Sequence, residues 1–266
     1  MSQSLPNIQS GGSLMLSWQV KDRHVLVIGG GSVGLSRVNH LLEADAKVTV
    51  VSKQVHSTLR RYGEIEMLES VEARGFQMKD LQMYEEISRE DLLKLDLSKP
   101  ESLDKVDDFD RNQKFALVLV CINDHVLAKQ IYYRCKQLGL NVNLADRPDD
   151  CDFYFGSVYR RGSLQIMIST NGKSPRLCNR LKNFKIKPMF DSLDISNAVE
   201  NLGYLRDKLR AEVHPGDDSR TIEERMEWNR KITDFYSIED WCEMDTNDVE
   251  QILKQYPELP QLGTTN

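Results

Sequence analysis

The 266-residue sequence has no stretch of eighteen or more consecutive apolar residues, so nothing in it has the length of a membrane-spanning helix. Cysteine is scarce. Cys121, Cys135, Cys151, Cys178 and Cys242 include no Cys-x-x-Cys pair, and their odd number argues against a disulfide framework and for a reducing compartment. The five histidines are dispersed, which leaves no visible ligand cluster and the expectation that no metal is held permanently. Basic residues do not predominate either: a net charge of -6 argues against a general nucleic-acid binder. Residues 1–17 lack both the basic start and the apolar stretch of a secretory signal, and read as a flexible tail on a cytoplasmic protein.

What is present begins with "RHVLVIGGGSVGLSRVNHLLEADAKVTVVS". Val25 to Ile28 suit a strand buried on both faces, Leu35, Val38, Leu41 and Leu42 recur at helical spacing, and Val48 to Val51 make the next strand. This β-α-β order predicts a parallel sheet with right-handed crossovers. Residues 64–114 are highly charged and less periodic; part of them reads as a surface insertion, with Ser88 and Asp91 as a helix-starting pair. A strand over 115–121 follows, then a helix bearing Leu127, Ile131, Cys135 and Leu138, with Gly139 at its end, and a strand that stops at Asp146. The predicted architecture is α/β: a Rossmann-type doubly wound parallel sheet over 18–150.

Beyond Asp152 the grammar changes. Two antiparallel strands with a turn at Arg161-Gly162 are expected, then a helix opened by Ser174-Pro175. An α+β segment over 151–190 therefore precedes a helical region over 191–266. In that region Ile195, Val199, Leu202, Leu205 and Leu209 form one stripe, Thr221 and Glu224 suggest a capping box, and Pro257 ends the last helix.

Gly29-x-Gly31-x-x-Gly34 follows a strand and opens a helix, the context that makes a glycine motif a dinucleotide fingerprint. Gly29 permits the tight turn, Gly31 lets the backbone approach a pyrophosphate, and Gly34 lets helix and strand pack closely. Ser32, Val33 and Asn123 complete the expected cofactor contacts. The acid that ordinarily holds the ribose is missing; Ser52-Lys53 stands there instead. Either Ser52 and backbone groups bind the ribose, or Lys53 accommodates a 2′-phosphate, so the residues alone leave NAD against NADP open. Asp124 reads as a helix N-cap rather than a ligand group, with His125 in the first turn. Asp146 falls at the carboxyl edge of the sheet, where such sheets bind ligands, but Asp-x-Pro also suits a plain turn.

The last feature is electrostatic. Phe153 to Phe190 contains no acid and eight basic residues, so a chain of net -6 holds a +8 segment and the remainder carries -14. Such asymmetry points to an anionic partner, and Thr170, Asn171, Lys173 and Arg176 lie where a turn enters a helix, a place that suits an anion.

"VLVIGGGSVGLSR", "VNLADRPDDCDFYFG" and "LQIMISTNGKSPR" occur in the order found in sirohaem-synthesis enzymes, and the chain resembles the compact fungal bifunctional precorrin-2 dehydrogenase/sirohydrochlorin ferrochelatases. The resemblance spans about residues 18–190. It implies NAD-dependent oxidation of precorrin-2, then insertion of ferrous iron, which is a substrate rather than a resident metal. It places the essential aspartate on Asp146 and gives the +8 segment a polycarboxylate tetrapyrrole as partner. It also implies a homodimer built through the segment after Asp146, with neither nucleic acid nor membrane as partner. Where the family often has Ser-x-Gly-Gly, this chain has Asn171 in place of the first of those glycines. The alternatives are a dehydrogenase without chelatase activity and a non-catalytic NAD-sensing module.

Overall fold

The computed structural model of the chain describes residues 10–260. Of the expected N-terminal tail, residues 1–9 lie outside the described residues, while residues 10–17 are exposed and belong to no helix or strand. Residues 261–266 of the helical region also lie outside them. One compact unit runs to Phe155 and a second starts at Gly156.

Five parallel strands build the first unit: β1 (His24–Gly30), β2 (Lys47–Val55), β3 (Ser70–Glu72), β4 (Leu117–Val120) and β5 (Asn141–Leu144), in the spatial order β3-β2-β1-β4-β5. Its helices are α1 (Ser32–Leu42), α2 (Ser57–Glu64), α3 (Arg89–Leu92), α4 (Pro100–Asp108) and α5 (His125–Gln137). Side chains alternate across a strand, so the apolar run of β1 feeds two cores. Val25 and Val27 pack with Val38 and Leu41 of α1 and Leu59 of α2. Leu26 and Ile28 pack with Ala128, Ile131 and Cys135 of α5 on the opposite face. All seven β1 residues are buried, which is why the run reads as continuously apolar rather than alternating. Each fully buried Val, Leu or Ile contributes about 1.5–3 kcal/mol of transfer free energy. The doubly wound parallel sheet is the architecture expected.

The charged 64–114 stretch is less peripheral than expected. β3 pairs with β2, Leu68 and Val71 enter one core, and Leu81 is fully buried in the other. A strand of three residues and a short 3₁₀ turn are too brief to leave a periodic signal. The turn is anchored by Asp80, whose side chain is 2% exposed. The Arg74 guanidinium donates to it at 2.7 and 3.0 Å, and the Gln77 amide at 2.8 Å. Burial would raise the Asp80 carboxyl, but these donors outweigh it and hold it below the usual carboxylate range. Ser88 caps α3 through the Asp91 amide, as its spacing suggests.

The second unit opens with a hairpin, β6 (Ser157–Arg161) against β7 (Leu164–Ile168). Its two-residue turn is Gly162-Ser163, one position later than expected, because Gly162 takes the positive φ (55°) that the reversal demands. Helices α6 (Pro175–Leu181), α7 (Lys187–Asp191), α8 (Ile195–Lys208), α9 (Ser219–Phe235), α10 (Ile238–Glu243) and α11 (Thr246–Leu253) follow. Ser174 caps α6, with Pro175 at its first position. Ile195, Leu205 and Leu209 reach the core with Trp228, Ile232, Trp241 and Ile252, whereas Val199 and Leu202 are only half-buried. Asn201 takes a buried place on that face because its amide donates to the Trp241 and Met244 carbonyls at the end of α10. The expected Thr221–Glu224 capping box does not form. Asp218 is the cap of α9, receiving both the Thr221 amide (3.0 Å) and hydroxyl (2.6 Å), and Glu224 pairs with Arg220. α11 ends at Leu253, ahead of Pro257.

Candidate active site

The site begins where β1 gives way to α1. Gly29 has φ +112°, and a Cβ there would lie 2.2 Å from the Cys121 carbonyl oxygen. A Cβ on Gly34 would lie 2.1 Å from the Gly29 carbonyl oxygen, so helix and strand touch backbone to backbone. Gly31 differs: nothing lies within 4 Å of where its Cβ would be. It caps α1 without a side-chain bond, and the first turn contains no acid. The first amides of the helix therefore lack the partners that a capping side chain would supply, and with the helix dipole they favour an anion. Ser32 and Val33 are exposed beside them. This cradle of open space and free amides fits a dinucleotide pyrophosphate.

The ribose end has a different character. Ser52 is half-buried and donates its hydroxyl to the Gln54 carbonyl (2.8 Å), which leaves its oxygen as an acceptor. The exposed Lys53 runs its stem over Gly75: a Cβ there would meet Lys53 Cε at 3.0 Å. Across the sheet, Asn123 is exposed just ahead of α5. Asp124 caps α5 through the Leu127 amide (3.0 Å), and His125 begins that helix on the surface.

Asp146 follows β5 at the same carboxyl edge. It is the third residue of a turn closed from the Arg147 amide to the Leu144 carbonyl (3.4 Å), with φ +62°. A left-handed backbone at a non-glycine residue costs about 1 kcal/mol or more and persists only when its surroundings enforce it. Those surroundings are identifiable. The Cys151 sulfur accepts from the Leu144 amide (3.2 Å) and lies 3.2 and 3.1 Å from the Leu144 and Arg147 carbonyls, pinning the turn at both ends. Burial, foremost, raises the Cys151 thiol, which keeps it a hydrogen-bonding group rather than a thiolate. Asn143 adds a bond to the Phe153 carbonyl (2.8 Å).

The neighbouring acids sort by use. Asp152 clamps back onto Val142 and Lys136, and Asp150 lies 3.8 Å from Arg147. Asp146 is exposed, and no hydrogen bond or ion pair holds its carboxylate among the described residues. Cys121, behind the glycine turn, is pushed up to about 11 by burial first; nearby Arg37 lowers it and Asp146 raises it. Cys151 and Arg37 were not foreseen. A cysteine in a charged loop gives no sign that its sulfur closes a turn, and Arg37 shows only as a charge three residues beyond Gly34.

In the second unit, Asn171 (φ 53°) and Gly172 (φ 79°) sit at the centre of a turn that the Lys173 amide closes onto the Thr170 carbonyl (3.1 Å). Positive φ at both centres is the type I′ pattern, for which Asn-Gly is a preferred pair. Asn171 therefore suits a place that relatives often fill with glycine. Thr170 is half-buried, and its hydroxyl accepts from the Ser174 amide (2.8 Å). Lys173 and Arg176 are exposed, as are Arg180, Lys185 and Lys187. Among the described residues, no group of three or more His, Cys, Asp or Glu could hold a metal ion, and no helix is long and apolar enough to cross a membrane.

Three family profiles match in succession: a putative NAD(P)-binding domain over residues 16–157, the sirohaem biosynthesis protein central domain over 161–184 and its C-terminal domain over 193–260. The siroheme biosynthesis protein met8 of Schizosaccharomyces pombe is 35% identical, the alignment covering 97% of this chain and 84% of that one. Its namesake in Saccharomyces cerevisiae, also a siroheme biosynthesis protein, is 34% identical over 91% of this chain and 90% of its own length. The siroheme synthase of Zymomonas mobilis is 26% identical, and the match covers 94% of this chain but 45% of that longer protein. Among solved structures, SirC, a precorrin-2 dehydrogenase, shares the fold with a TM-score of 0.57 at 21% identity, over 92% of this chain and all of that one.

Proposed function

The chain belongs to the sirohaem biosynthesis protein family, and on that premise we propose that it is a bifunctional enzyme that oxidises precorrin-2 to sirohydrochlorin with NAD and then inserts ferrous iron to give sirohaem. The near-full-length likeness to the two fungal proteins carries this reading. Bound NAD supplies the hydride acceptor. Gly31, Ser32, Val33 and Gly34 offer backbone amides to its pyrophosphate, Gly29 holds the turn that brings them there, and Ser52 and Asn123 face its outer parts. Asp146, exposed and without a hydrogen-bond or ion-pair partner among the described residues, accepts the proton that leaves precorrin-2 as the hydride departs. Iron insertion displaces two pyrrole N–H protons; the same carboxylate, having released its earlier proton to solvent, takes one of them and the other passes to solvent. Thr170, Asn171, Lys173 and Arg176 bind carboxylates of the tetrapyrrole, Thr170 by donating the hydroxyl hydrogen that its bond from the Ser174 amide leaves free. Iron passes through as substrate.

Residues 18–150 serve as the nucleotide domain, 151–190 as the substrate and dimerisation segment, and 191–266 as the helical domain. A homodimer is supported by the strand edges of the two-stranded hairpin, which no third strand covers among the described residues. Exposed Leu177, Leu181, Phe184 and Met189 on the helices after it point the same way. Five free cysteines suit a cytoplasmic enzyme.

The test is incubation with precorrin-2 and NAD, then ferrous iron, with the absorption spectrum followed through both steps. Spectra unchanged at both steps would refute the reading. Oxidation without iron uptake would reduce it to a dehydrogenase. Asp146→Asn is expected to lose turnover while NAD affinity holds; wild-type rates in both reactions would remove Asp146 from the mechanism.

A further inference from the structure

Arg37 has no assigned task, and its surroundings are unusual for an arginine. It lies on α1, half-buried, on the side that carries Gly34 and Leu41 toward the sheet. Its guanidinium carbon stands 4.1 Å from the centre of the Phe155 ring, so the planar head stacks on an aromatic face. Its Nε is fully buried and has no hydrogen-bond partner, and no ion pair or hydrogen bond engages the head among the described residues. Arginine carries five N–H donors and stays charged, so a half-buried guanidinium without a counter-ion is a costly arrangement for a merely structural residue.

The head also lies on the reacting side of the unit. Its charge reaches the sulfurs of Cys121, which backs the glycine turn, and of Cys151, which pins the turn bearing Asp146. Phe155 packs on the core of that same unit, so the stacking surface is fixed. Stacking aims a flat, two-pronged donor that matches a carboxylate.

We propose that Arg37, stacked on Phe155, is a binding residue for a carboxylate side chain of the tetrapyrrole and orients that ring system against Asp146. The inference rests on the functional reading above and assigns it a further residue. A cofactor phosphate is the other anion at hand. The amides that favour it lie at Ser32 to Gly34, however, and Arg37 is five residues from Ser32, roughly 7.5 Å along the helix, with its head turned onto Phe155.

The experiment measures KM for sirohydrochlorin in iron insertion without NAD, then KM for precorrin-2 and for NAD in the dehydrogenase reaction, in full-length protein. Arg37→Gln is expected to raise both tetrapyrrole KM values by about tenfold or more, the scale of a lost charge-assisted pair. The KM for NAD should stay unchanged, and Arg37→Lys should recover part of the loss. Arg37→Met, which keeps an unbranched stem over Phe155, repeats the test if the glutamine variant fails to fold. Unchanged tetrapyrrole KM, or a rise confined to NAD, overturns the proposal. If the wild-type protein turns over neither tetrapyrrole, the functional reading falls with it; turnover by wild type with indifferent Arg37 variants sinks this inference alone.

Discussion

Adding one methyl group at two neighbouring glycines should have opposite consequences, and the difference isolates the nucleotide site from the fold. At Gly34 the new Cβ would sit 2.1 Å from the Gly29 carbonyl oxygen, a backbone atom that cannot swing aside. Alanine would gain about 1 kcal/mol in helix propensity over glycine. Overpacking against a rigid neighbour costs about 3 kcal/mol or more, so the clash wins and Gly34→Ala should fold poorly. At Gly31 nothing lies within 4 Å of the added carbon, and its φ of -81° is open to any L-residue. The cost there is confined to a weaker helix cap, about 0.5–1 kcal/mol, or a melting temperature about 1–4 °C lower. The methyl nevertheless occupies the space through which a pyrophosphate must approach. NAD affinity, measured by titration calorimetry, should fall about tenfold or more, equivalent to about 1.4 kcal/mol. A Gly31→Ala protein that binds NAD as the wild type does would refute the placing of the pyrophosphate. One that unfolds would refute the geometry of the loop.

Three further outcomes follow from other parts of the chain. Cys151→Ala removes the sulfur that pins Leu144 and Arg147 around Asp146; dehydrogenase kcat should fall about tenfold to a hundredfold with the KM for NAD unchanged, and an unchanged kcat would deny the turn its role. His24 is buried at the start of β1, and burial, opposed by Glu69 and aided by Lys47, lowers its pKa. A lowered histidine favours the neutral form in the folded state, so its stabilisation is full above about pH 6.5 and is lost as pH falls, by up to about 1.4 kcal/mol per pH unit. Melting curves between pH 5 and 7 should therefore be steeper for wild type than for His24→Gln, and parallel curves would contradict this. Phe184 is 69% exposed after the hairpin; if the proposed homodimer forms through that face, Phe184→Asp should shift it toward monomer in size-exclusion chromatography with light scattering, and an unaltered mass would exclude that face from the contact.

Four of the five parallel strands were legible because their determinants are local in the sequence. β1 and β4 are short apolar runs whose alternate residues feed both cores, and the glycine spacing ties the first run to a helix. The 64–114 stretch was not legible, because β3 gains its place by pairing with β2 rather than by any pattern of its own. The start of α9 was misread for a related reason. Asp218 and Thr221 both suit a cap, and only the three-dimensional path decides that the earlier one takes the amide.

Asp146 shows the same limit at the site itself. Its spacing fits a turn residue ahead of Pro148 as well as a reactive carboxylate, and backbone geometry is what separates the two. In a turn that demands φ +62°, asparagine or glycine is the comfortable choice, because either tolerates the left-handed region better than aspartate. If the position served the turn alone, an amide would suffice without an exposed, unpaired charge. The chain carries the acid instead and immobilises it from behind with Cys151 and Asn143. Asp146→Asn should leave the melting temperature unchanged or slightly higher while turnover falls, so the cost of the native residue is set by its chemistry and not by its fold.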